Sequence, residues 1–189
     1  PPNSTRPQLQ ARTPSGGLVN SWDAIVAYEQ TIRAPISSTS ASDDPEIAEG
    51  RQIFISNNCQ TCHGGAKWSI SSLDSFITDQ SLIVNGQIIS QLRNVGTFNP
   101  EASNEVRANA RPPLGADGFV PPSLISVFFS PPYFHNGSAA SLDEVLSDAF
   151  AAHRAAGTGG IDGLSDPESR RKLVKFLLSI DASTEPINP

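Results

Sequence analysis

A chain of 189 residues with 38% hydrophobic content can enclose one core but hardly two independent ones. A net charge of −6 excludes the basic face a nucleic-acid binder needs, and no run of about 18 apolar residues is present to cross a membrane. Sixteen prolines and 14 glycines point to long irregular segments, so the expected fold is mainly α-helical with long loops.

Residues 1–19, rich in Pro, Ser, Gln and Arg and without periodicity, are expected to form an extended arm. Ser21-Trp22-Asp23 then opens a helix whose apolar positions Trp22, Ile25, Val26 and Ile32 keep helical spacing to about Arg33. Ala34 to Asp43 has the composition of a linker. Asp44-Pro45-Glu46 is a helix start, with Asp44 as cap and proline at the first helical position, and the helix carries Ile47, Phe54 and Ile55. Asn85-Gly86, between Ser81–Val84 and Gln87–Ser90, is the strongest short-range signal for a short β-hairpin. The stretch from Arg111 to Pro132 is studded with proline and expected to be extended. Ser141-Leu142-Asp143-Glu144 reads as a capping box opening a helix through Val145, Leu146, Ala149 and Phe150 to His153, before Gly157-Thr158-Gly159-Gly160. A last helix from Asp166-Pro167-Glu168 puts Leu173, Val174, Leu177 and Ile180 on one face, and Arg170, Arg171 and Lys172 on a solvated one. Arm, helix and linker thus occupy 1–44, one domain 45–182, and a tail 183–189.

Both cysteines of the chain lie in Cys59-Gln60-Thr61-Cys62-His63, the attachment pattern of a c-type haem. Two thiols three positions apart on one tight turn can each add to a vinyl group of the same porphyrin, and the adjacent imidazole reaches the iron as axial ligand. Gly64-Gly65 is expected to let the backbone stay close to the macrocycle. A zinc site would need about four ligands, and the chain offers two cysteines and two further histidines at unsuitable spacing. A thioredoxin-like pair would need a βαβ context that is not visible. The expected cofactor is one covalent haem c, and the expected fold a cytochrome c-like helical haem domain. Haem c is attached outside the cytoplasm, so a periplasmic or extracellular location follows. A start at Pro1-Pro2 and the absence of methionine fit a processed product or a piece of a longer precursor.

Methionine, the common second axial ligand, is missing, which leaves His153, His135 and more weakly Tyr133 as candidates for the far side of the iron. His153 ends the expected capped helix, whereas His135 sits in the turn Pro132-Tyr133-Phe134-His135-Asn136-Gly137. Arg93 is a candidate partner for a haem propionate, and Trp68 is expected on the ring or in the core.

The segments Phe119-Val120-Pro121-Pro122-Ser123-Leu124, Pro132-Tyr133-Phe134-His135-Asn136-Gly137-Ser138 and Leu142-Asp143-Glu144-Val145 together resemble the C-terminal haem domain of bacterial dihaem cytochrome c peroxidases and MauG-like proteins. The likeness covers about Pro45 to Ser179. It implies a distal ligand near the end of the helix after the turn, where this chain has His153. It also implies a place near the haem edge for the turn, with Tyr133, Phe134 and His135. That family carries an arginine shortly after its proline-serine-leucine segment, where this chain has Ile125. Its peroxidatic haem belongs to another domain, whose last helix Trp22–Arg33 resembles.

The leading expectation is an electron carrier with a low-spin haem between two histidines, serving a redox partner of basic charge through the acidic surface. A peroxide- or oxygen-activating enzyme, with Tyr133, His135 and Trp68 as acid-base and relay groups, is the alternative. A third reading is a haem-bearing subunit of an extracellular assembly, whose arm reaches further haem subunits or domains.

Overall fold

In a computed structural model the described residues are 10–39, 44–70, 83–84, 87–88, 92–102, 115–116 and 118–189. They form a mainly α-helical protein with little strand. Two compact units emerge, Pro1–Ala34 and Pro35–Pro189.

In the first unit, β1 (Gln10–Arg12) pairs antiparallel with β2 (Leu18–Asn20), Arg12 facing Leu18. The turn between them needs Gly16, at φ 84, whose N–H donates to the Thr13 carbonyl. An extended arm was expected here; residues 10–20 form a ribbon instead, and the first nine residues lie outside the described ones. α1 (Ser21–Glu29) is capped by Asn20, one residue before the expected start, its Oδ1 accepting from the Trp22 N–H at 2.9 Å. It also ends four residues before Arg33. Thr31 turns the chain back there, its hydroxyl donating to the Tyr28 carbonyl at 2.7 Å. None of the helix is buried, and Trp22 is 75% exposed.

The second unit is organised by α2 (Pro45–Ser56) packed on α6 (Pro167–Ser179). Both starts are the expected ones. Asp44 Oδ1 accepts from the Glu46 N–H at 2.9 Å, and Asp166 accepts from the N–H groups of Glu168 and Ser169. The helices approach so closely at Gly50 that a Cβ there would stand 2.2 Å from the Lys172 carbonyl oxygen. Ile47 and Phe54 of α2 meet Leu173, Phe176 and Leu177 of α6, with Ile180 closing the core. The cations expected on a solvated face keep contact with solvent and are also paired: Arg170 with Asp148, Arg171 with Glu46 and Glu168, Lys172 with Glu49. Hydrogen bonds from Arg171 and then Lys175 hold the Glu46 carboxyl down to about 2.

The expected linker splits in two. Ser37 is stitched to Asp181 and to the Leu178 carbonyl, and Pro35 accepts from Ser126, so Pro35 onwards belongs to this unit. Residues 40–43 lie outside the described ones. β3 (Ile83–Val84) pairs antiparallel with β4 (Gln87–Ile88), while the Asn85-Gly86 turn lies outside them. The tail is part of the packing: Ile187 rests on the core and its carbonyl accepts from the Gly65 N–H at 2.7 Å.

The expected helix from Ser141 to His153 is broken. α4 covers only Leu142–Val145, a 3-10 turn follows at Asp148–Phe150, and α5 is the single turn Ala151–Arg154. The capping box at its start is present in altered form: Ser141 Oγ accepts from Glu144 N–H, but Glu144 reaches back to Ala140.

Candidate haem site

α3 (Gln60–His63) is one helical turn, and its carbonyl bond from Cys59 to the His63 N–H, at 2.9 Å, fixes the spacing. Residues i, i+3 and i+4 share a helix face, so Cys59, Cys62 and His63 all line the same cavity. Asn57 sets the entry angle of that turn by donating from its amide to the Ile53 carbonyl at 2.9 Å. On its far side Gly64 is crowded: a Cβ would stand 2.8 Å from the Ile187 carbonyl and 3.0 Å from the Pro189 nitrogen. Nearer still is the Gln60 carbonyl, at 2.5 Å, so the preceding turn and the C-terminal tail both require glycine here.

The floor under His63 is the 119–124 segment. Pro122 offers its carbonyl to His63 Nδ1 at 3.1 Å, Pro121 accepts from Ser69, and Leu124 N–H donates to the Trp68 carbonyl. A carbonyl only accepts, so Nδ1 carries the proton and Nε2 keeps its lone pair for a metal. Burial pushes the His63 imidazole down to about 4 and also lowers His153, so both rings are neutral at ordinary pH, as metal ligation requires.

The opposite wall comes from the 132–153 region. Tyr133 and Ala139 bridge the turn backbone to backbone, and the Tyr133 hydroxyl donates to the Val127 carbonyl at 3.1 Å. Phe134, held at φ 65, sets its ring edge-on against His153 at 5.4 Å and tilted against Phe150 at 4.6 Å. The His153 ring therefore has a fixed lateral neighbour. The His63 and His153 ring centres are 6.4 Å apart, with an angle of 75° between planes.

These two imidazoles bound an apolar cavity of about 550 Å³, whose wall also holds Cys59, Cys62, Tyr133, Phe134, Leu142, Val145, Leu146 and Leu177. A haem c can be tested against it. Two imidazoles on opposite sides of one metal, each bonded at about 2 Å and with about 1 Å from ring nitrogen to ring centre, have centres about 6 Å apart. The observed separation fits, and the volume lies within the range of cofactor sites.

Of the residues singled out in the sequence, Cys59, Cys62, His63, Arg93, Tyr133, Phe134, His135 and His153 line this one cavity. His135 is stacked flat on Phe119 at 3.7 Å rather than facing His63. Arg93 is anchored by a two-way backbone bridge to Phe119, and its guanidinium donates to the Leu92 carbonyl. Trp68 is not in the wall; it is 1% exposed in the core beside Phe54 and Phe176, and Arg51 lies over its ring. Sequence reasoning missed Arg154, which is buried beside His153, and the Pro122 carbonyl, for which no sequence signal exists. Among the described residues, the exposed members of the wall, including Asn58, Val120, Pro122, Ser130 and Pro132, bear no charge.

Burial pushes the Cys59 thiol up to about 12, opposite to the lowered thiol of a redox-active dithiol. Among the described residues no group of three or more His, Cys, Asp and Glu is arranged to hold a bare metal ion. No helix among the described residues is long and apolar enough to cross a membrane. Comparison with known proteins gave no matching family model, no similar curated protein and no similar solved structure.

Proposed function

We propose that this chain is a monohaem c-type cytochrome domain that carries single electrons through a low-spin haem. Cys59 and Cys62 hold the haem by thioether bonds, with His63 and His153 as axial ligands. The carrying observation is the pair of imidazoles 6.4 Å apart across an apolar cavity that both cysteines line. The cytochrome c-like topology, the likeness to the C-terminal domain of dihaem peroxidases and MauG-like proteins, and a periplasmic or extracellular site of action belong to the same reading.

A bound haem supplies a one-electron couple at the iron. The chain's part is to hold the couple still and dry. Pro122 fixes the tautomer of His63, and a histidine with a bound Nδ1 proton is a stronger donor at Nε2. Phe134 restrains the ring of His153, and the aliphatic wall of Leu142, Val145 and Leu146 excludes water. Two imidazoles in place of imidazole and thioether lower the potential. Were His63 and His153 both to hold the iron, no coordination site would remain for peroxide, which favours a carrier over the enzyme alternative.

Expression in a host that matures cytochromes c tests the reading. The expected product gains the mass of one haem that resists extraction with acidic acetone, and its ferric spectrum is low-spin. A protein that comes out colourless, or loses its haem on extraction, would count against it.

A further inference from the structure

His153 stands on α5, a single turn between two 3-10 turns and followed by Gly157, Gly159 and Gly160. A turn of four residues cannot hold its own shape by backbone bonds. Something else must fix the ligand, and the next residue is suited to it. Arg154 is 5% exposed, an unusual place for a guanidinium. Its Nη1 donates to the Leu146 carbonyl at 2.8 Å and to Asp148 Oδ1 at 2.9 Å, and its Nη2 pairs with Asp162. Asp148 Oδ1 also accepts from Arg170 of α6 at 2.9 Å, and Asp162 Oδ1 accepts from the Leu164 N–H at 2.9 Å. The ends of the loop 146–162 are thereby drawn onto one cation adjacent in sequence to His153, and the knot is tied to a long helix.

Resting on the reading of His153 as distal ligand, we propose that Arg154 is a positioning residue, a latch that keeps His153 on the iron. Opening of the Asp148–Arg154–Asp162 clamp sets the rate at which an outside ligand reaches the metal. The loop leaves the cavity by parting the buried guanidinium from the half-buried Asp162 and the exposed Asp148, which makes release of His153 a local unfolding.

The test uses the full haem-loaded chain, with carbon monoxide as the probe for the ferrous protein. Wild type is expected to be low-spin and to bind carbon monoxide slowly, limited by release of His153. Arg154→Met is expected to bind it at least tenfold faster and to show a high-spin ferric fraction. Arg154→Lys, which keeps one charged bond, recovers part of the wild-type rate. Asp162→Asn, which leaves Arg154 in place, gives an intermediate rate and serves if Arg154→Met does not fold. A merely structural Arg154 would lower the melting temperature with the binding rate unchanged, and that result overturns the latch. A low-spin wild type with unaltered rates in these variants overturns the latch alone; a high-spin wild type overturns both the latch and the bis-histidine reading.

Discussion

In His153→Ala the ferric haem is expected to change from low-spin to high-spin, with cyanide binding the ferric protein, and carbon monoxide the reduced one, within the mixing time of a rapid experiment. The reason lies in what else could replace the lost imidazole. The chain has no methionine, and its third histidine is stacked flat on Phe119 at 3.7 Å. Tyr133 is engaged with the Val127 carbonyl, and burial raises its hydroxyl above the ordinary phenol range, which opposes phenolate ligation. Water is the ligand left. The matching substitution His135→Ala should leave the spectrum low-spin. A low-spin His153→Ala would show that another side chain had moved in, and the distal assignment would fall with it.

The second large effect is on stability. A Cys59→Ser/Cys62→Ser chain made without haem is expected to lose its cooperative thermal transition while retaining much of its far-ultraviolet helical signal. A void costs about 24 cal/mol per Å³, so about 550 Å³ corresponds to about 13 kcal/mol, an upper bound because the cavity has a mouth. Whole domains are stable by about 5–15 kcal/mol. The caps at Asp44 and Asp166 are local enough to persist, and the close approach of α2 to α6 at Gly50 and Lys172 lies outside the cavity wall. The walls contributed by 119–124 and 132–153 share the core through Leu124, Leu142, Val145 and Leu146, but their cavity-facing side loses its contacts. Near-ultraviolet dichroism and amide exchange check this: sharp side-chain signals and strong protection over residues 132–153 in the haem-free chain would refute it.

What was legible in the sequence is what short-range physics decides. Asp44 and Asp166 cap because the accepting carboxylate and the donating N–H are two or three residues apart. The buried face of α6 follows from periodicity, and the Cys59–His63 turn from spacing on one helical face. The break after α4 was hidden, because neither glycine nor proline marks Leu146-Ser147 and the apolar spacing runs on through Phe150. The bonds that shape it come from Arg154 and Asp162, and hydrophobic pattern carries no record of them. For Trp68 the sequence left ring and core open, and the core holds it, between Phe54 and the distant Phe176. Gly64 answers to the Gln60 carbonyl four residues back and also to a tail more than 120 residues away. Distance along the chain, rather than chemical subtlety, separates what could be read from what could not.

On the proposed ligation, the 75° between the planes of His63 and His153 would have an electronic consequence for the iron between them. Each imidazole π-bonds with the metal d orbital perpendicular to its own plane. Parallel rings would both draw on the same orbital and split the pair; nearly crossed rings engage one each and leave the two close in energy. The unpaired electron of the ferric ion then keeps much of its orbital angular momentum. Electron paramagnetic resonance of the frozen protein is expected to show a single, strongly anisotropic signal dominated by one large g-value, where a parallel pair would give three well-separated lines.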